Sequence, residues 1–149
     1  MLEDRINQDL KTALLAGEKD KATTLRGLKS VLLYAKVELG KRDSGLSDDE
    51  IMTLLAKEAK KRQESADLYV QGGAQERADH ELTEKAIIEA YLPVQATEAE
   101  IAAAVDETIK QLGASGPQAM GQVIGAVKAK LGASADGAVI ARLTKEKLL

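Results

Sequence analysis

The stretch AMGQVIGAVKAKLGASADGAVIARLTKEKLL, residues 119–149, reads as two short helices around a tight turn. Met120, Val123, Ile124, Val127 and Leu131 recur at helical spacing and build one apolar face. Asp136 is placed to cap a last helix, with Val139, Ile140 and Leu143 turned inward. Gly121 and Gly125 fall one turn apart inside the first of the two. Glycine costs a helix interior about 1 kcal/mol relative to alanine. A pair at this spacing predicts a close approach by another helix, a partner backbone or a ligand. Packing within the chain is the default reading.

The same periodicity extends back through the chain. Leu2, Ile6, Leu10, Ala13 and Leu14 line a first helix that Gly17 ends. Asp20 is expected to cap a second, with Leu25, Leu28, Leu32, Ala35 and Leu39 as its seam and Gly40 as its close. Ser47 with Glu50 forms a capping box for a third helix. That helix carries Ile51, Leu54, Leu55, Ala59, Ala66 and Tyr69, and Gly72–Gly73 breaks it. A fourth runs to Tyr91 with Ala78, Leu82, Ala86 and Ala90 inward, and Pro93 forbids its continuation. Thr97 with Glu100 repeats the capping box ahead of Ile101, Val105, Ile109 and Leu112, and Gly113 follows. Pro117 suits the first turn of the next helix.

No strand-like alternation interrupts this pattern. The expected fold is all-α, with roughly four-fifths of the residues helical against an ordinary share of about one-third. An N-terminal bundle of four helices spans residues 1–93, and a small three-helix tail domain spans 94–149. The LPVQAT segment, residues 92–97, is the expected boundary.

Composition narrows the chemistry. The 149 residues are 44% hydrophobic and 30% charged, which suits a globular core. No cysteine is present, so disulfides, thiolate metal sites and cysteine nucleophiles are excluded. No apolar run is long enough to span a bilayer, and MLEDRINQDL is too polar for a signal peptide. The expected location is the cytoplasm, away from membranes. Three tyrosines are the only aromatics, so the core must be aliphatic and base stacking on aromatic platforms has little to stand on. Residues 1–93 hold 15 basic and 18 acidic side chains, and residues 94–149 hold 6 of each. The bulk charge therefore gives nucleic-acid binding no general support.

No catalytic constellation emerges. His80 is the only histidine, and HELTE lacks the second histidine of a zinc-binding HExxH. A surface role is expected for it. GASADG, residues 132–137, departs from a GxSxG nucleophile elbow at its fifth position and follows no strand. Carboxylates fall in caps or in pairs such as Glu58–Arg62, which read as solvated helix faces. No nucleotide loop is present, and no metal or cofactor is expected. Lys57, Lys60 and Lys61 share one face of the third helix. They read as a solvated surface or as a phosphate-contacting stripe that Arg26 and Lys29 would extend if the second and third helices pair.

Five passages together resemble the YqeY-like proteins. They are LRGLKSVL (25–32), KRQESADLY (61–69), EAYLPVQATEAEI (89–101), AMGQVIGAVKAKL (119–131) and SADGAVIARLTKEKLL (134–149). That family is similar to the C-terminal helical and tail regions of GatB, a subunit of the tRNA-dependent amidotransferase that amidates Glu-tRNA(Gln) or Asp-tRNA(Asn). The resemblance implies a helical N-terminal part, a small tail domain, and tRNA binding through that tail. It also brings the label of carbon–nitrogen ligase with glutamine as amido donor. In the amidotransferase the activating site lies in another domain and the glutaminase in another subunit, so this chain is expected to be non-catalytic.

The residues expected to bind tRNA or a partner are Gly121, Gln122, Gly125, Lys128, Lys130, Ser134, Asp136, Gly137 and Arg142, with Lys145 and Lys147 nearby. The family pattern commonly carries lysine at 122 and arginine at 134, where this chain has Gln122 and Ser134. The expected partners are tRNA, the amidotransferase or other translation-related proteins. A protein–protein module with no RNA role is the alternative.

Overall fold

Capping boxes and left-handed glycines divide the chain. The computed structural model describes all of residues 1–149 and is 80% helical, with no strand. Its α-helices are α1 (Leu2–Ala16), α2 (Lys19–Glu38), α3 (Asp48–Gln71), α4 (Gln75–Glu89), α5 (Glu98–Leu112), α6 (Met120–Leu131) and α7 (Gly137–Leu148). Single 3-10 turns at Pro117–Ala119 and Gly132–Ser134 precede α6 and follow it.

At α3 the Ser47 hydroxyl accepts from the Glu50 amide at 3.1 Å, while the Ser47 amide donates to the Glu50 carboxylate at 2.8 Å. Thr97 and Glu100 make the same exchange at α5. Each box satisfies two amides that a helix start would otherwise leave unpaired, and such a cap contributes about 1 kcal/mol. Gly17 and Gly113 end α1 and α5 at φ 74° and 59°, where a side chain would be strained.

The chain forms two compact units, Met1–Leu92 and Pro93–Leu149, each with its own core. In the first, Ile6 and Leu10 of α1 meet Leu25, Leu28 and Leu32 of α2, Ile51 and Leu55 of α3, and Ile88 of α4. Fully burying one such side chain contributes about 2 kcal/mol. Tyr91 closes this core. Its hydroxyl donates to the Asp9 carboxylate at 2.5 Å, and the Arg5 guanidinium lies 4.8 Å from its ring centroid. In the second unit, Ile101 and Val105 of α5, Val123 and Val127 of α6, and Ile140 and Leu143 of α7 form the core. Thr108 and Thr144 are buried, and each hydroxyl donates to the carbonyl four residues back.

Several details differ from the sequence expectation. Asp20 does not cap α2, which starts at Lys19 behind Glu18 and makes no side-chain cap. The left-handed Gly17 lets the chain re-enter a helix before Asp20 is reached, and Asp20 sits in the first turn. Leu14, Leu39 and Leu112 lie half-exposed near helix ends, where the neighbouring helices no longer cover them.

The inward face of α4 is the largest change. Leu82, Ala86 and Ala90 are exposed, and Ala78, Glu81, Glu84, Lys85 and Ile88 face inward or partly inward. A spacing of four drifts by about 40° per step on a helix of 3.6 residues per turn, so a set begun at Ala78 ends facing solvent. No helix is long and apolar enough to cross a membrane.

Candidate binding surface of the tail

The tail site is assembled from α6, the GASADG turn and α7. Gly121, Gln122, Gly125 and Lys128 are all exposed on α6. Gly121, Gly125 and Lys128 are spaced four and three apart, so they follow one stripe. The glycines do not pack. A methyl group built on either would meet nothing within 4 Å. The expected close approach within the chain is therefore absent, and the stripe presents bare helix backbone to solvent.

Lys128 extends that stripe to the start of α7. Its side-chain carbon comes within 3.2 Å of where a Cβ at Gly137 would stand, and its ammonium within 3.4 Å. Glycine at 137 leaves the space that this side chain crosses. The positive end of the α7 dipole lies at the same place, and the Asp136 carboxylate answers it by accepting from the Ala138 amide at 2.8 Å. Ser134 also has internal duties. Its hydroxyl donates to the Leu131 carbonyl at 2.5 Å, and its own carbonyl accepts from the Ala96 amide at 2.7 Å. Gln95 donates to the Ala133 carbonyl at 3.1 Å, so the turn pins the segment ahead of α5. Ser134 is a strut of the turn, and the unit holds no histidine to activate it.

The remaining cations are largely engaged. Lys130 meets Glu107 at 2.8 Å, and Lys147 meets Asp106 at 2.7 Å. Arg142 meets Glu98 at 2.7 Å and Glu146 at 3.2 Å. The Lys130 hydrogen bond holds the Glu107 carboxyl below its usual range, and the Glu98 and Glu146 bonds hold Arg142 above its own. Acidic side chains of α5 thus cover much of the positive charge expected at the tail, and Lys128 and Lys145 remain without an ion pair. The α5 partners lie 23 to 44 residues away in sequence, which hides them from local patterns.

On α3, Lys57, Lys60 and Lys61 are all exposed, in keeping with a solvated face, and Lys61 also meets Glu58 at 2.9 Å. Arg26 and Lys29 do not extend this face. They line a groove with Glu3 and Leu10 of α1.

The Glu58–Arg62 pair is no solvated decoration either. Glu58 is only 7% exposed, and Arg62 reaches it at 3.2 Å. The same guanidinium reaches Glu84 of α4 at 2.8 Å and Glu81 at 3.9 Å. Arg62 fills the centre of these carboxylates, the place a cation would otherwise need. His80 stays largely exposed, with its Nδ1 3.7 Å from Glu84. No group of histidine and carboxylate side chains has a geometry that could hold a metal.

The family described as Yqey-like protein matches residues 3–148. The chain belongs to the YqeY-like family. Among curated relatives it is similar to the Altered inheritance of mitochondria protein 41, mitochondrial, of Eremothecium gossypii. The two are 33% identical over 110 residues, covering 72% of this YqeY-like chain and 58% of the relative. The chain therefore spans well under two thirds of that protein's length. In this YqeY-like chain the most open expected site residues are Gly121, Gln122, Gly125 and Lys128, while Lys130, Ser134, Asp136 and Arg142 have partners of their own.

Proposed function

We propose that the chain is a non-catalytic, cytoplasmic adaptor related to the tRNA-dependent amidotransferase, and that it holds tRNA through the α6 face of its tail. The observation that carries this reading is the bare stripe of Gly121 and Gly125 leading to Lys128 at the start of α7. A helix without side chains lets a phosphodiester or a partner backbone approach closely. Lys128 and the dipole of α7 supply positive potential at the end of that path. The resemblance of the tail to that of GatB makes tRNA the first ligand to test. No nucleophile, metal cage or nucleotide loop supports amide transfer by this chain alone.

A second reading is favoured by the ion pairs. With Lys130, Arg142 and Lys147 engaged by carboxylates, a phosphate must compete for each of them. A protein ligand, such as the amidotransferase or another translation-related protein, would not have to. A native pull-down with and without nuclease separates the two. A tRNA that is retained, and lost on Gly125→Leu and Lys128→Glu substitution, supports the first. No retardation of any tRNA at low salt, together with a protein partner that survives nuclease, supports the second.

A further inference from the structure

The first unit carries a groove that the tail does not explain. Arg26, Lys29, Ser30 and Leu33 of α2 form one wall, and Glu3 and Leu10 of α1 stand across from them. Beside it, Leu33, Tyr34 and Val37 are 53%, 76% and 51% exposed. They lie within one turn of each other, so they make one apolar strip along the outer side of α2. Tyr34 is one of three aromatic residues in the chain, and most of it is in water.

The charge along this strip is opposite to that of the unit. Met1–Leu92 carries 15 basic and 18 acidic side chains. Yet the one carboxylate lining the groove, Glu3, is taken by Lys36. Arg26 and Lys29 have no ion pair. The result is a strip that is cationic at one end and apolar at the other.

We propose that the α1–α2 groove docks an acidic amphipathic helix of a partner protein. Its apolar residues, spaced at one face of a helix, would cover Leu33, Tyr34 and Val37, and its flanking carboxylates would meet Arg26 and Lys29. Charge complementarity selects this occupant. A nucleic acid would find two cations beside three apolar side chains that offer its phosphates nothing, on a unit whose net charge repels a polyanion. A second copy presenting the same groove would bring no free carboxylate to Arg26 and Lys29, because its Glu3 is already paired with Lys36.

The test uses the full chain and a fluorescein-labelled designed helix of about 20 residues, long enough to hold helical structure. One peptide carries leucine at i, i+3, i+4 and i+7 with glutamate on the flanks, and its twin has lysine for glutamate. Anisotropy should show micromolar binding of the acidic peptide and none of the twin. The R26E/K29E variant should reverse that preference. Tyr34→Ala should weaken the acidic peptide about tenfold. Lys110→Glu on α5 should leave it unchanged, and circular dichroism should show every variant folded. The proposal fails if the acidic peptide does not bind, if both peptides bind alike, or if R26E/K29E keeps the wild-type preference. It also fails if sedimentation finds a dimer that Tyr34→Ala dissociates, or if tRNA binding is lost in R26E/K29E and the acidic peptide does not compete for it. The peptide and sedimentation outcomes do not depend on the α6 face of the tail.

Discussion

Arg62 of α3 and Glu84 of α4 meet at 2.8 Å, and this contact joins two helices that turn charged as well as apolar side chains inward. Removing the guanidinium leaves Glu58, Glu81 and Glu84 to repel one another, one of them nearly buried. Arg62→Leu should therefore destabilise the chain by about 3 kcal/mol in urea unfolding. Adding Glu58→Leu should recover part of the loss, because the deepest uncompensated carboxylate is then gone. Equal stability of wild type and Arg62→Leu would mean that the network contributes nothing.

Tyr91 gives a pH dependence with a defined sign. Burial first, and the Asp9 carboxylate second, push its hydroxyl well above the usual tyrosine range. A raised pKa stabilises the fold fully below the unfolded value, near 10, and the contribution is lost as pH rises through the folded value. Tyr91→Phe should lose about 2 kcal/mol near neutrality through the missing hydrogen bond to a charged group. The gap between wild type and variant should shrink above about pH 10 in chemical denaturation. A gap that widens there would contradict this assignment.

Space around the α6 glycines predicts a gain in stability. Gly125→Ala should raise stability by about 1 kcal/mol, because the helix gains propensity and nothing blocks the methyl group. Gly121→Ala should gain less, since it lies in the first turn. Thermal unfolding followed by circular dichroism measures both. If either substitution instead costs stability, the glycine face is packed and the open stripe does not exist.

Ion pairing in the tail predicts how tRNA binding would respond to losing acid. Glu98→Gln, Glu146→Gln, Asp106→Asn and Glu107→Gln together free Arg142, Lys147 and Lys130. If tRNA is the ligand, affinity should rise. The salt dependence should steepen by roughly 0.7 to 0.9 in log–log slope for each phosphate newly neutralised. An unchanged slope in filter-binding titrations would show that these cations do not reach phosphate.

Much of this architecture is legible in the amino-acid sequence because its punctuation is local. Ser47 and Glu50 are three residues apart, as are Thr97 and Glu100, and each pair closes its own capping box. Gly17 and Gly113 announce helix ends for the same reason. The inner side of α4 is not legible, because periodicity is counted on apolar residues and Glu81, Glu84 and Lys85 read as a wet surface. Only Arg62, on another helix, gives their carboxylates a reason to turn inward. Gly121 and Gly125 fail differently. A glycine has no side chain to reveal which way its position faces, so the spacing predicts contact where the structure has open solvent. The tail cations stand out by residue type, but Lys147 and Asp106 are 41 residues apart, and their pairing is a property of the fold.

The division into two cores makes the protein half-silent to optical probes. Tyr34, Tyr69 and Tyr91 all belong to Met1–Leu92, and Pro93–Leu149 contains no aromatic residue at all. Tyrosine absorbance and fluorescence therefore report on the first unit alone, while far-ultraviolet ellipticity sums the helices of both. A denaturation curve read by each method gives two numbers from one sample. When the units unfold separately, subtracting the tyrosine-reported transition from the ellipticity curve leaves the unfolding transition of the tail, obtained without cutting the chain or attaching a label.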